Sequence, residues 1–184
     1  WSWHEIESAP TSLECGALTT DEAGRLSLFL GGDAGLFRSR DRGRTWERLA
    51  LPVEGSCSLL ATDPTGRHLA AAIDRSIVRT ADQGENWDCL PALPSHVLSL
   101  AVLDREHLVA GTLAHGCLVW DDRAGTWQER NQGLYGRLPV GIIARRSHEL
   151  LVADYSGTVL HSPDGGSTWQ RALLDRGIAQ FAGG

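Results

Sequence analysis

Arg38-Ser39-Arg40-Asp41-Arg42-Gly43-Arg44-Thr45-Trp46 is the stretch around which the rest of the sequence can be organised. It recurs as Arg79-Thr80-Ala81-Asp82-Gln83-Gly84-Glu85-Asn86-Trp87 and as His161-Ser162-Pro163-Asp164-Gly165-Gly166-Ser167-Thr168-Trp169. A degenerate copy, Trp120-Asp121-Asp122-Arg123-Ala124-Gly125-Thr126-Trp127, fills the interval between the second and the last. The tryptophans at 46, 87, 127 and 169 set a period of about 41 residues, and Trp3 continues it backwards.

Each period reads the same way. An apolar stretch (58–61, 97–102) ends in a turn such as Asp63-Pro64-Thr65-Gly66 or Asp21-Glu22-Ala23-Gly24. A second strand follows (26–30, 68–73, 107–110, 149–153), then a tight turn at Asp33-Ala34-Gly35, Asp74-Arg75-Ser76 or Asp154-Tyr155-Ser156-Gly157. A third strand (36–39, 77–80, 117–120, 158–162) runs into the Asp-containing turn, and the Trp opens a fourth. Short runs bounded by Gly, Asp and Pro, without helical spacing, predict consecutive antiparallel hairpins. Four short strands every 40–45 residues are the signature of propeller blades. The expected fold is therefore all-β, a single β-propeller domain or segment over 1–184. It has about four complete blades (12–50, 55–90, 96–130, 138–174), an extra strand at each end (3–8 and 177–182), and an incomplete fifth blade that those end strands could share.

The consensus Ser/Thr-x-Asp-x-Gly-x-Thr-Trp resembles the Asp-box, or BNR, repeat. That repeat occurs in sialidases, sortilin-type receptors, some xyloglucan-cleaving enzymes and photosystem assembly factors of the Ycf48 type. The chemistry it implies is structural: the carboxylate accepts bonds from backbone N–H groups further along the turn, Gly takes the positive-φ position, and the hydroxyl closes the loop. The structural set is Ser39, Asp41, Gly43, Thr45 and Trp46 in the first copy and Thr80, Asp82, Gly84 and Trp87 in the second. It is Asp122, Thr126 and Trp127 in the third, and Ser162, Asp164, Gly166, Thr168 and Trp169 in the fourth. In the third copy Ala124 stands where Gly is expected and Trp120 where Ser is, so that turn should be remodelled. Each Trp is expected to wedge between neighbouring elements with its N–H on a carbonyl.

Composition narrows the function classes. A formal net charge of −6 and a pI near 5.6 give no electrostatic reason to expect a nucleic acid partner. Mean hydropathy is −0.18, and runs such as Leu26–Leu30 and Val97–Leu103 are far shorter than the roughly 18–20 residues a membrane helix needs. All 17 basic residues are Arg and Met is absent. The missing Met and the mid-blade start favour a segment of a larger propeller over a small closed ring, with a second copy completing the ring as the alternative. Cys15, Cys57, Cys89 and Cys117 show no zinc-type spacing and read as reduced thiols, which leans toward a cytoplasmic location unless a signal has been removed. No metal or other cofactor is expected.

In propellers, the turns between second and third strands share one face with the connections between blades, and the Asp-box turns lie on the other. Resemblance to the family implies that the first face holds substrate in its enzymes. Here that face would present Asp33, Asp74, Arg75, His96, His115, Tyr135, Arg137, Asp154 and Tyr155, the candidate binding residues. A sialidase would further need an arginine cluster, a Tyr/Glu pair and an Arg-Ile-Pro element; the nearest string is Arg137-Leu138-Pro139, and only two tyrosines exist. A glycosidase needs two carboxylates roughly 5–9.5 Å apart. Asp33 and Asp74 occupy equivalent turns, which turn preference explains without catalysis. No catalytic residue is assigned.

The repeat-equivalent His68, His107 and His148 read as packing or turn residues. Arg25, Arg67, Arg105 and Arg145/Arg146, with Arg40, Arg42 and Arg44, fall on the Asp-box face among Asp21, Asp63, Asp104 and Glu106, a mixed-charge rim. Trp1 and Trp120 are the indoles outside the box positions. The expected role is a non-enzymatic protein-interaction or assembly scaffold using propeller loops, with a protein partner. The rival is a glycan-acting module, either a glycosidase fragment or a lectin-like binder.

Overall fold

The computed structural model describes residues 12–134, 138–146 and 148–172. The end strands expected at 3–8 and 177–182, with Trp1, Tyr135 and Arg137, lie outside them. The described residues contain strands and turns and no helix.

Four antiparallel sheets follow one another along the chain, each a simple meander of four strands. The first blade comprises β1 (Leu13–Thr20), β2 (Leu26–Gly32), β3 (Gly35–Ser39) and β4 (Glu47–Arg48). The second comprises β5 (Cys57–Thr62), β6 (Leu69–Ile73), β7 (Ser76–Thr80) and β8 (Asp88–Cys89). β9 (Val97–Val102), β10 (Leu108–Thr112), β11 (Gly116–Asp121) and β12 (Thr126–Glu129) form the third. β13 (Pro139–Arg146), β14 (Glu149–Asp154), β15 (Val159–Ser162) and β16 (Gln170–Arg171) form the fourth. The leading strands are neighbours: β1 packs beside β5, β5 beside β9 and β9 beside β13. Successive blades are thus arrayed side by side with their first strands on the inner side, a β-propeller arrangement.

The core is distributed between blades. One cluster joins Phe29 and Leu36 of the first blade to Leu69, Ala71, Ile73 and Val78 of the second, with Leu49 and Trp87 against it. The next joins Ala70, Ala72 and Ile77 of the second blade to Leu100, Val102, Leu108 and Trp120 of the third. The last joins Ala101, Leu103 and Val109 to Ile142, Leu150, Val152, Leu160 and Trp169.

Strand periodicity explains the division. Side chains alternate between the faces of a strand, so Leu69, Ala71 and Ile73 enter one cluster while Ala70 and Ala72 enter the next. All five residues of β6 and of β10 are buried. An antiparallel strand covered on both faces loses the apolar–polar alternation of a half-exposed sheet, hence the unbroken run Leu69-Ala70-Ala71-Ala72-Ile73. Trp120 is 5% exposed inside the second cluster, so it is a core residue and not an available aromatic. Leu18 and Ile143 lie on the faces of the first and last blades turned away from these clusters, 50% and 65% exposed.

Phe29→Ala should cost about 3–5 kcal/mol, since the ring is 1% exposed and its neighbours belong to two blades that cannot both collapse onto the void. A shift of the urea unfolding midpoint corresponding to less than about 1 kcal/mol would contradict shared packing of the first two blades.

Candidate interaction cleft

The box turns link β3 to β4, β7 to β8, β11 to β12 and β15 to β16. In the first, Asp41 Oδ1 accepts from Arg44 N and Thr45 N at 2.9 Å each, and Oδ2 accepts from Thr45 Oγ1 at 2.7 Å. The Ser39 hydroxyl donates to Asp41 Oδ1 and accepts from Gly43 N, both at 2.8 Å. Thr80, Asp82 and Gly84 repeat the pattern, with Asn86 Nδ2 replacing the threonine hydroxyl at 2.7 Å. Ser162, Asp164, Gly166 and Thr168 repeat it again.

These contacts hold an expensive backbone. Arg42 (φ 64°) and Gly43 (φ 86°) are left-handed in succession, as are Gln83 (φ 61°) and Gly84 (φ 82°). A left-handed residue with a Cβ costs about 1–2 kcal/mol, which the carboxylate-centred bonds offset. A Cβ on Gly84 would also stand 3.2 Å from Phe29 and 3.3 Å from Trp87, in the interface itself.

All four box indoles donate to carbonyls, in two ways. Trp46 and Trp87 donate to Gly43 O and Gly84 O of their own turns, at 3.1 and 3.2 Å. Trp127 and Trp169 donate back to the preceding blade, to Pro91 O and Arg130 O, both at 2.9 Å. The third turn departs from the assigned box. Asp121, not Asp122, supplies the capping carboxylate, accepting from Arg123 N at 3.1 Å and Ala124 N at 3.0 Å. Asp122 instead accepts from Trp120 Nε1 at 2.9 Å and Arg79 Nη2 at 2.8 Å. The hairpin has the register of the others, but its ladder runs two pairs further toward the turn, to Trp120–Trp127 and Asp121–Thr126, so Thr126 is a strand residue and not a cap.

Arginines ahead of the box clasp adjacent blades. Arg38, 5% exposed, donates to Glu47 Oε1 of its own blade at 2.7 and 2.9 Å. It reaches the next box turn at Gln83 O (2.6 Å) and Glu85 Oε1 (3.1 Å). Arg79, in the equivalent place, donates to Arg105 O at 2.7 Å and to Asp122 of the third blade.

Between the first two blades, on the box face, lies a cleft of about 720 Å³. Its walls are the β1–β2 turn (Thr20, Asp21, Glu22, Arg25), the start of β2 (Leu26, Ser27), the β5–β6 turn (Arg67, His68), Arg40, and the second box turn (Ala81, Asp82, Gln83, Glu85). Across it Ser27 hydrogen-bonds to Gln83 Oε1, and Thr20 N donates to Gly66 O at 2.9 Å. Its charges are paired at the rim: Arg25 with Asp21 at 2.6 Å, Arg67 with Glu22 at 3.8 Å, and Arg40 with Glu85. The three arginine side chains are 82%, 56% and 52% exposed. Such pairs are worth at most about 1 kcal/mol and exchange readily for a partner's carboxylates and carbonyls. His68 stands 3.3 Å from Asp63 and His107 2.8 Å from Asp104, turn positions in both cases. The His107 and His148 rings meet edge to face at 5.9 Å.

The turn carboxylates are held acidic. Hydrogen bonds from Thr45 N, Thr45 Oγ1, Ser39 and Arg44 N bring Asp41 from 3.8 down to about 2. At Asp82 and Asp164 burial is the largest single influence and pushes upward, yet the bonds from Asn86 and Thr168 together outweigh it, so both are lowered.

On the opposite face the candidate residues stand in separate turns. Asp33 Oδ1 accepts from Ser12 N at 3.3 Å, and Asp74, at φ 54°, sits against Gly55. Arg75 and His96 are exposed, each offering its carbonyl to a neighbouring turn, to Leu93 N and Leu113 N. His115 Nδ1 is 2.7 Å from Glu129. Asp154 is buried, accepting from Ser156 Oγ at 2.6 Å and Thr158 N at 2.9 Å, whereas Tyr155 is 80% exposed. A hollow of about 210 Å³ on this side is lined by 35–36, 48–51 and 53–55, and by none of the candidates. Among the described residues no three His, Cys, Asp or Glu side chains are grouped to hold a metal ion.

Arg38→Ala should lose about 1–3 kcal/mol, because Gln83 O is left without its donor; Glu47→Ala should lose less, its carboxylate being 56% exposed. Equal losses in denaturant titrations would contradict the clasp.

Asp41 binds fewer protons folded than unfolded between pH 4 and 2, so its stabilising effect is complete above about 3.8 and disappears as pH falls through about 2. The stability gap between the unmodified chain and Asp41→Asn should accordingly narrow over that window in pH-dependent thermal melts. A gap independent of pH would overturn the assignment.

No protein-family profile matches the sequence. Solved structures do, as fold relatives. A Ycf48 bound to D1 peptide superposes with a TM-score of 0.59 at 20% identity, over 92% of this chain and 56% of that one. U3-55K gives 0.68 at 17% identity, over 90% of this chain and 53% of that one. The GH74 xyloglucanase from Xanthomonas campestris gives 0.62 at 17% identity, over 88% of this chain and 30% of that one. The chain spans about half the length of the Ycf48 structures it matches. The fold is that of the β-propellers.

Proposed function

We propose that this chain is an Asp-box propeller acting as a non-enzymatic interaction scaffold, and that it holds an extended polar peptide segment of a partner protein in the cleft between its first two blades. The cleft carries the reading: a groove of about 720 Å³ with three half-exposed or more exposed arginines in exchangeable ion pairs. Arginine forks recognise peptide carboxylates and carbonyls bidentately, and rim carboxylates can receive the partner's cations in return. The Ycf48 structure with a bound D1 peptide supports the reading by showing that a propeller of related shape takes a peptide. The glycan-acting alternative gains nothing comparable: Asp33 and Asp74 are each engaged with their own blade connection, and Tyr155 is the one aromatic among the candidate turn residues described.

A displayed random-peptide library selected on the chain tests this. Selected peptides should lose about tenfold or more in affinity on Arg25→Ala/Arg67→Ala, equivalent to about 1.4 kcal/mol, and be indifferent to Leu113→Ser/Tyr155→Ser on the opposite face. The reverse pattern would move the dock to the loop face. Failure to select any peptide, alongside specific retention on a glycan array, would replace the scaffold with a sugar binder.

A further inference from the structure

Cys15 and Cys57 meet where the first two blades touch at their inner strands, with Sγ atoms 3.9 Å apart. The meeting is built into the repeat. β1 is irregular between Leu13 and Cys15, and β5 between Cys57 and Leu59. The residue after the irregularity in one blade faces the residue before it in the next. At the following junction this puts Leu59 with Val97 in one apolar cluster, and at the last it puts the Ser99 hydroxyl on Pro139 O at 2.6 Å. Three equivalent junctions therefore carry an apolar pair, a hydroxyl–carbonyl bond and, in the first, two thiols.

The surroundings suit sulfur. Gly31 pairs with Cys15 in the ladder, and a Cβ there would lie 2.5 Å from Cys57 Sγ and 2.6 Å from Cys15 Sγ, so both sulfurs occupy the space a side chain would take. The Cys15 thiol also reaches Cys57 O at 3.4 Å. Cys15 is half-buried and open to a small reagent, whereas Cys57 is fully buried.

We propose that Cys15 and Cys57 form a reversible disulfide that staples the inner strands of the first two blades, made by exchange with a small-molecule disulfide such as oxidised glutathione. The Cys15 thiolate attacks one sulfur of the reagent, forming a mixed disulfide and expelling one glutathione thiolate. Cys57, after giving its proton to solvent, attacks the Cys15 sulfur and expels the second. Two protein thiols lose two protons and two electrons, and the reagent accepts both electrons and leaves as two thiols. The order follows from the site: the hydrogen bond from Cys57 holds the Cys15 thiol below its ordinary value, while that contact and burial push Cys57 up. Rotation about the side-chain torsions has to bring the sulfurs from 3.9 Å to a bond of about 2.05 Å.

The experiment is equilibration of the purified chain in glutathione buffers from reducing to oxidising, followed by thiol alkylation, intact mass and peptide mapping. The expected result is a Cys15–Cys57 cross-linked peptide lighter by two hydrogens than its two reduced peptides together, reversed by excess reduced glutathione. Cys117 stays unmodified and exposed Cys89 takes a glutathione adduct. The melting temperature should rise on oxidation in the unmodified chain and not in Cys15→Ser or Cys57→Ser. If Cys89 becomes glutathionylated while Cys15 and Cys57 remain free, or if Cys15 stops at a stable mixed disulfide, the proposal fails. Mapping on the unmodified chain decides this even where a serine variant does not fold.

Discussion

Burial of both faces of every interior sheet is the constraint on which this molecule rests. A four-stranded meander with two apolar faces has no stable existence alone in water, and β6 and β10, buried along their whole length, leave no solvent side to satisfy. The second and third blades therefore each supply half of two cores. Small residues such as Ala70, Ala71 and Ala72 and large ones such as Phe29, Trp120 and Trp169 fill these cores together. The box turns serve the same end. They hold a strained hairpin at the rim so that its indole either closes its own turn or anchors to the blade before.

Much of this was readable from sequence because it is periodic. The Trp spacing and the Asp-Gly turn signals give four blades, the strand order and the placement of the two kinds of turn. What escaped is what the period does not encode. Asp121 replaced Asp122 as the third cap because the ladder there continues to Asp121–Thr126 and the Asp122 carboxylate is taken by Trp120 and Arg79, a difference between two adjacent aspartates that the motif does not state. Trp120, a surplus indole on the page, belongs to a core assembled from residues of two blades.

The cleft was legible only in part. Its arginines were visible as a row on the box face interleaved with acids, and their rim pairing fits that reading. Arg38 and Arg79 share a repeat position, a signal that the sequence did offer; their cross-blade bonds join residues 26 to 47 positions apart and depend on how blades abut. The groove itself arises from the splay between two neighbouring turns, which no local pattern states. The loop-face candidates were chosen by turn position, and hydrogen bonds to the segment leading into β1 for Asp33 and within its own turn for Asp154 account for them without bringing them together.

The junction at the inner strands carries one more consequence. The same socket is filled by sulfur, by hydrocarbon and by a hydroxyl in three successive places, with Gly31, Ala72 and Gly111 as the respective ladder partners. A row of units coupled only to nearest neighbours behaves as a one-dimensional chain whose links have individual strengths. Under load or heat it should part first at the junction whose link is weakest, so evolution can tune where this protein gives way by editing a single pair of residues.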